Sequence, residues 1–175
     1  PSAAGKISNA INTGSFLSDG LLNGKTPAGD NGPLVLAMTN RSYTMSCWVY
    51  PVNDGMGSAP PYGIMGKYDV QTAMEYGLLI DASSLVSFRH FANDGFESPV
   101  EYTVNSSVAV NSNAWNFVVA TYNSTNQTMR LWLTNELGGS FDSTTNVPSS
   151  WSLTATNAPT PFFLGTDDDA TTYLK

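Results

Sequence analysis

Two segments decide the fold: Trp115-Asn116-Phe117-Val118-Val119-Ala120-Thr121-Tyr122 and Met129-Arg130-Leu131-Trp132-Leu133-Thr134, which the polar stretch 123–127 joins. In the second segment every other residue, beginning with Met129, is apolar, so one face of a strand is buried and the other is at least partly wet. The first segment is largely apolar on both faces, which is typical of a strand near the centre of a two-layer sandwich. Together the two segments predict a β-hairpin.

The rest of the chain repeats this pattern of short strands and turns. The 15 Gly and 10 Pro residues interrupt it at short intervals, and no stretch keeps the spacing of an amphipathic helix. The 175 residues therefore predict a single domain over 1–175, an all-β sandwich or barrel of antiparallel sheets. The predicted strands are 34–38, 43–50, 63–68, 76–81, 86–91, 100–104, 115–122, 129–134 and 162–165. The irregular stretches 20–33, 52–62, 92–99 and 138–161 are predicted to be loops at the ends of the sandwich, where a rigid β scaffold usually carries its binding groups.

Charge and hydropathy exclude two classes of partner. Charged residues make up 12% of the chain, about half the usual fraction, and the net charge is −7. A protein that binds a phosphate backbone carries a basic patch, so nucleic acid is excluded as a partner. No apolar run reaches the roughly 18 residues that a membrane-spanning helix needs.

Three segments resemble the laminin-G-like group of the concanavalin A-like lectin/glucanase superfamily. They are Gly5-Lys6-Ile7-Ser8-Asn9-Ala10-Ile11, Tyr43-Thr44-Met45-Ser46-Cys47-Trp48-Val49-Tyr50-Pro51, and the hairpin 115–133. The resemblance implies a jelly-roll sandwich of two curved antiparallel sheets. Two departures stand out: the segment 12–17 lacks the acidic cluster that commonly follows the first strand, and the chain stops at Lys175 before the usual last strand. We therefore expect a domain that lacks its final strand, supplied either by residues after Lys175 or by a neighbouring subunit.

The distribution of carboxylates predicts a protein that is not an enzyme. Retaining β-glucanases of this superfamily use two carboxylates close together on one strand, facing one cleft. The four Glu residues are Glu75, Glu97, Glu101 and Glu136, and none of them stands in such a run. We therefore predict no hydrolase activity.

The single His and the single Cys do not form a catalytic set. His90 and Cys47 fall on different predicted strands, and no third group is identified to orient them. We favour a structural role for both, with Cys47 as a small core residue. An alternative for His90 is a hydrogen bond to a sugar or a partner, if its face of the sheet is open.

Aromatic residues in the predicted loops offer a candidate ligand site. Tyr62, Phe96 and Trp151 lie outside the predicted strands, and Asp94 stands beside Phe96. An exposed ring next to a hydrogen-bonding side chain suits the apolar face of a sugar. The alternative is that these rings fill the open ends of the sandwich. The predicted ligand-binding residues are Tyr62, His90, Asp94, Phe96 and Trp151.

Three consecutive acids, Asp167, Asp168 and Asp169, offer a candidate metal site. Calcium takes six to eight oxygen ligands, and clustered carboxylates after a strand supply some of them. Adjacent acids on an extended chain cannot all reach one ion, so other loops would have to contribute. We expect a weak structural calcium site, and the alternative is a solvated acidic turn.

These observations lead to two functional hypotheses. The first is a non-enzymatic recognition or adhesion module, a lectin that binds glycans or glycoproteins on an extracellular, cell or particle surface. The second is a structural subunit of a virus or phage particle, such as a decoration or fibre protein, or of an extracellular filament. In the second case the partners are neighbouring subunits. Fold analogy alone does not choose between them.

Overall fold

The computed structural model describes residues 2–4, 9–11, 41–52, 62–69, 73–93, 100–146, 152–153 and 163–165, and all regular elements in these ranges are strands. The strands are β1 Ser2–Ala4, β2 Asn9–Ile11, β3 Tyr43–Val49, β4 Tyr62–Asp69, β5 Ala73–Ile80, β6 Leu85–Asn93, β7 Val100–Ala109, β8 Asn116–Asn123, β9 Thr128–Asn135, β10 Ser140–Asn146, β11 Ser152–Leu153 and β12 Phe163–Leu164. The predicted all-β class is confirmed.

The strands form two main antiparallel sheets. The smaller sheet has four strands in the order β10-β9-β8-β3. The larger sheet has the order β11-β6-β5-β4-β12, and β7 also pairs with β6. A separate two-stranded ladder joins β1 to β2. The two main sheets enclose a common core, so the predicted jelly-roll sandwich is confirmed.

The hairpin of β8 and β9 lies at the centre of the smaller sheet. Its register runs from Asn116 opposite Asn135 to Asn123 opposite Thr128, with four residues in the turn. The side chain of Asn123 holds the turn, because its Oδ1 accepts hydrogen bonds from the backbone N–H groups of Thr125 and Asn126. The hairpin predicted from the sequence is therefore confirmed.

The core lies between the two sheets and follows the alternation of side chains along the strands. In β8, Val118, Ala120 and Tyr122 point inward, and the residues between them point outward. The larger sheet supplies the facing layer, with Leu78 and Phe88 at its centre. The fully buried core side chains of the smaller sheet are Val118, Ala120, Met129, Leu131 and Leu133.

The structure differs from the predicted strands in several places: β1 and β11 were not predicted, β5 begins three residues earlier, and β10 and β7 differ most. The segment Ser140–Asn146, predicted as part of a loop, is an edge strand that pairs with β9 over seven residues. It has little apolar patterning because only one of its side chains, Phe141, packs against the core. Strand β7 runs on to Ala109, five residues beyond the predicted end. The predicted strand 34–38 lies outside the described residues.

Candidate functional site

The outer face of the four-stranded sheet carries a row of aromatic side chains. Alternation sends Tyr43, Met45 and Val49 of β3 into the core, so Trp48 points outward. By the same rule Phe117 of β8 and Trp132 of β9 point outward. We call Trp48, Phe117 and Trp132 the aromatic row. It crosses three neighbouring strands.

Contacts between the rings hold the row together. The ring centroids of Trp48 and Phe117 are 4.9 Å apart with planes tilted by 32°, and these two residues are directly opposite each other in the ladder. The centroids of Phe117 and Trp132 are 5.6 Å apart in a T-shaped arrangement. Trp48 is 38% exposed, and the other two rings are half-buried. Phe117 therefore supports both indoles while they keep part of their surface in solvent.

A second pair of rings continues the aromatic surface at one end of the sheet. Tyr50, just after β3, is 40% exposed, and Trp115 is half-buried. The centroids of their rings are 5.2 Å apart. The backbone N–H of Trp115 donates to the carboxylate of Glu136 at 3.1 Å. Contiguous exposed apolar surface of this kind marks a binding or interaction site more often than isolated residues do.

The other half of the same face is polar. Arg130 points outward from β9 and forms a bidentate pair with Asp142 of β10, in which its Nε donates to Oδ1 at 2.8 Å and its Nη2 donates to Oδ2. The side-chain hydrogen bond from Arg130 is the main cause that lowers the pKa of Asp142, and the same bond raises the pKa of Arg130. Asp142 stands directly opposite Trp132 in the ladder, so the charged pair adjoins the aromatic row. Further hydroxyl side chains lie on the same face: Thr44, Ser46, Thr121, Thr128, Thr134, Ser140 and Thr144.

A second polar group lies between the sheets, and we call it the interior polar centre: Tyr43, Lys67, Glu75, Tyr76, His90 and Tyr122. The larger sheet contributes Lys67, Tyr76 and His90, which are neighbours across β4, β5 and β6. The smaller sheet contributes Tyr43 and Tyr122, whose rings contact His90. Each of these six residues is less than 9% exposed.

His90 is held between tyrosines with none of its surface exposed. Its Nδ1 and the hydroxyl of Tyr43 are joined by a hydrogen bond of 2.9 Å. Its ring stacks on the ring of Tyr122, with 3.9 Å between the two centroids. Its Nε2 is buried without a hydrogen-bond partner. Burial lowers the pKa of His90 to about 3, so the imidazole is neutral at physiological pH. This His cannot exchange protons with a substrate in solvent.

Lys67 and Glu75 form a buried ion pair in the same centre. The Nζ of Lys67 lies 3.1 Å from Oε2 of Glu75. Burial is the main cause that raises the pKa of Tyr43 well above its ordinary value, and the charge of Glu75 adds to it. The same two causes raise the pKa of Tyr76. These tyrosines therefore stay protonated and serve as neutral hydrogen-bonding groups.

Cys47, Glu101 and Glu136 make structural contacts. Cys47 is half-buried against the core, and burial raises the pKa of its thiol to about 12, so no reactive thiolate forms at neutral pH. Glu101 lies 3.3 Å from Arg89 and accepts a hydrogen bond from Thr103, and Glu136 holds the start of β8. The structure does not bring Glu75, Glu101 and Glu136 together.

The residues predicted to bind a ligand fall in different places. Tyr62 is the first residue of β4 and packs, half-buried, against the core. His90 lies inside the sandwich, and the tyrosines that contact its ring, Tyr43 and Tyr122, are buried as well. Asp94, Phe96 and Trp151 lie outside the described residues, as do the predicted calcium ligands Asp167, Asp168 and Asp169. Within the described residues no group of three or more His, Cys, Asp or Glu is placed to hold a metal ion.

Sequence reasoning placed Trp48 and Trp132 in the sheets but did not assign them to a binding surface. The signal was available in the alternation, because Trp132 lies between Leu131 and Leu133 and so points to the same side as Arg130. The cross-strand register that joins Trp48, Phe117 and Trp132 into one row is not readable from local patterns.

Comparisons with known proteins identify the family. Residues 24–175 match the family Laminin_G_3, described as the Concanavalin A-like lectin/glucanases superfamily. A search of curated proteins gives no match. One similar solved structure is the Ruminococcus gnavus IT-sialidase CBM40 bound to alpha2,3 sialyllactose, with a TM-score of 0.55, 14% identity, and coverage of 76% of this chain and 68% of that chain. Another is the marine PL-14 alginate lyase from Aplysia kurodai, with a TM-score of 0.47, 10% identity, and coverage of 82% and 67%.

The first of these likenesses agrees with the sandwich described above, and it bears on the fold alone. In the described part of the chain, no helix has the length and apolar character to cross a membrane. The family match covers far more than half of the sequence, and two of the three segments that resemble the laminin-G-like group, 43–51 and 115–133, lie within it. The chain belongs to the laminin-G-like family of the Concanavalin A-like lectin/glucanases superfamily.

Proposed function

We propose that this protein is a non-enzymatic recognition module that binds glycans, or the glycans of glycoproteins, through the outer face of its four-stranded sheet. The observation that carries the proposal is the aromatic row beside the pair of Arg130 and Asp142. The family includes lectins, and the similar module from Ruminococcus gnavus is described with a bound sugar. Both facts support the proposal at the level of the fold.

The chemistry of the outer face suits a sugar. One side of a pyranose ring is lined by C–H groups, which pack against a partly exposed indole such as Trp48 or Trp132. The rim of the same ring carries hydroxyl groups, which need donors and acceptors. Arg130 offers N–H donors that its pairing leaves free to bind, and Asp142 offers further oxygen lone pairs. A sugar that lies across β9 and β10 would meet both kinds of contact.

The described residues contain no accessible pair of proton-transfer groups, which supports a non-enzymatic role. His90 is neutral and sealed between the sheets. The thiol of Cys47 stays protonated, and the described Glu residues are held in separate structural contacts. Glycoside hydrolysis needs two carboxyl groups that face one cleft, and the described residues provide no such pair.

The predicted loop residues enter the proposal as additional contacts. Phe96, Trp151 and Asp94 would add rings and a hydrogen-bonding group that contact the sugar. Tyr62 and His90 would act indirectly, because their described positions are in or against the core. We place the protein outside the cell or on a cell or particle surface, where such glycans are presented.

A glycan array followed by titration calorimetry tests the function. We expect binding to a defined group of glycans by the natural protein. Trp132→Ala should weaken that binding at least tenfold, and Trp132→Phe should restore part of it because a ring is kept. Leu137→Ala is the matched control: Leu137 is 75% exposed but lies in the turn after β9 and carries no ring, so its removal should leave the affinity unchanged. Silence across plant, animal and bacterial glycans would overturn the proposal, and so would equal losses in Trp132→Ala and Leu137→Ala.

The second candidate function is a structural subunit of a particle or an extracellular filament. The exposed apolar side chains of Trp48, Tyr50, Val52 and Leu137 favour it, because a neighbouring subunit would cover such surface. Light scattering over a range of protein concentrations measures the oligomeric state and so distinguishes the two candidate functions. A fixed oligomer whose assembly is broken by Trp48→Ser favours the subunit, and a monomer that binds sugar favours the recognition module.

A further inference from the structure

We infer that the ligand of the outer face is a neutral glycan, and that this face discriminates against uronate, sialate and sulfated sugars. The inference rests on the proposed function and names the class of ligand for the same site. It is carried by the charged side chains present on the face and by the hydrogen bonds that already join them.

The charge inventory of the face is small. Among the described residues that point outward from the four strands, Arg130 is the one basic side chain and Asp142 is the one acidic side chain. The remaining polar side chains carry hydroxyl or amide groups. The local charge is therefore zero, in a protein whose net charge is −7.

The guanidinium of Arg130 is already engaged by a carboxylate. Two of its N–H groups point at the two oxygens of Asp142 in the fork geometry that an anionic sugar would otherwise use. An incoming carboxylate would have to displace Asp142 or lie beside it, and two like charges at that distance repel each other. The negative charge of the whole protein opposes the approach of an anion as well.

A neutral sugar meets no such penalty. Its hydroxyl groups both donate and accept, so they can donate to the remaining lone pairs of Asp142 and accept from the remaining N–H groups of Arg130. The hydroxyls of Thr121 and Thr144, which are the direct neighbours of Arg130 across the ladder, offer the same versatility. The pair therefore works as a neutral hydrogen-bonding unit rather than as an ion site.

Matched pairs of ligands that differ only in charge test the inference. The probes are lactose-based oligosaccharides with and without terminal sialic acid, and homogalacturonan with its carboxyl groups methyl-esterified or free. We expect the neutral member of at least one pair to bind tenfold or more tightly, and its affinity to change by less than about twofold between low and high salt, because no net charge is neutralised on binding.

Two variants of the charged pair sharpen the test. Asp142→Asn leaves the guanidinium without its carboxylate and should raise the ratio of acidic to neutral binding about tenfold. Arg130→Gln leaves a carboxylate and should lower that ratio.

Three other outcomes count against the inference. Equal or tighter binding of the acidic member by the natural protein overturns it while leaving the proposed function intact. No shift of the ratio in Asp142→Asn overturns the assignment of the pair. Binding to neither member of any pair, and to no other glycan, overturns the proposed function itself.

Discussion

The interior polar centre and the outer face of the four-stranded sheet are built from similar side chains in opposite surroundings. Each combines aromatic rings with an ion pair: Lys67 with Glu75 inside, and Arg130 with Asp142 outside. The inner pair is buried, and both members of the outer pair are roughly half exposed. In the inner group the rings contact one another and, like the ion pair, are buried between the sheets, whereas in the outer group part of each ring stays in contact with solvent.

Because of this difference, we expect the inner group to contribute mainly to stability and the outer face mainly to binding. A charge inside the sandwich has lost its water, so removing its partner is costly. A charge on the outer face keeps its water, so the same change barely affects folding but alters what the surface can hold. The two regions should therefore respond to equivalent substitutions in opposite ways, with the larger effects on stability inside and those on recognition outside.

The largest expected effect comes from breaking the inner ion pair. Lys67→Met removes the cation beside Glu75 and should lower the free energy of unfolding by about 3–5 kcal/mol, because it leaves a buried carboxylate without its ion partner. Urea denaturation followed by tryptophan fluorescence measures the change.

The matched control for this prediction is Arg130→Met in the outer pair. It should shift the urea midpoint far less, because both partners of that pair remain accessible to water. Similar losses in the two variants would contradict the division between the two regions.

The next largest expected effect is a loss of folding stability as the pH is lowered. The pKa of His90 is lowered by burial from 6.5 to about 3 in the folded protein, whereas the unfolded chain keeps the ordinary value. Above pH 6.5 His90 is neutral in both states and contributes no pH dependence. Between pH 6.5 and about 3 only the unfolded state takes up the proton, so stability should fall by about 1.4 kcal/mol for each pH unit of acidification.

This pH dependence can be isolated because His90 is the one His in the chain. Urea denaturation at pH 7, 6 and 5 measures the slope before most carboxylates begin to titrate. His90→Gln keeps a hydrogen-bonding group for Tyr43 and should flatten the slope over this range. An equally steep slope in that variant would show that another group is responsible.

The smallest expected effect concerns calcium. If Asp167, Asp168 and Asp169 contribute to a weak structural site, excess calcium should raise the melting temperature slightly, and EDTA should reverse the shift. Asp168→Asn should reduce the response to calcium. Identical melting temperatures in EDTA and in calcium would leave the solvated acidic turn as the interpretation.

Much of the fold could be predicted from the sequence, because alternation within a strand is a local property. The hairpin of β8 and β9 is an example, since both its alternating apolar residues and its polar turn can be recognised in the sequence. Strand β10 could not be predicted in this way. It is an edge strand whose seven residues need backbone partners from β9 more than they need a buried face.

The candidate site was harder to predict for a physical reason. A loop tryptophan and a strand tryptophan look equally plausible in a sequence, and only the register decides whether rings from three strands become neighbours. The alternation around Trp132 indicated its outward direction, but the partnership with Phe117 depends on a pairing across the hairpin. His90 shows the converse, because its burial depends on two tyrosines that come from the other sheet.

The outward position of Arg130 has a consequence for folding accuracy. A slip of β9 by one position would turn Met129, Leu131 and Leu133 out of the core, and Trp132 would replace only part of the apolar surface that they bury. The same slip would drive the guanidinium of Arg130 into the interior, away from Asp142 and from water. A residue that we assign to ligand recognition thus also penalises the misaligned sheet.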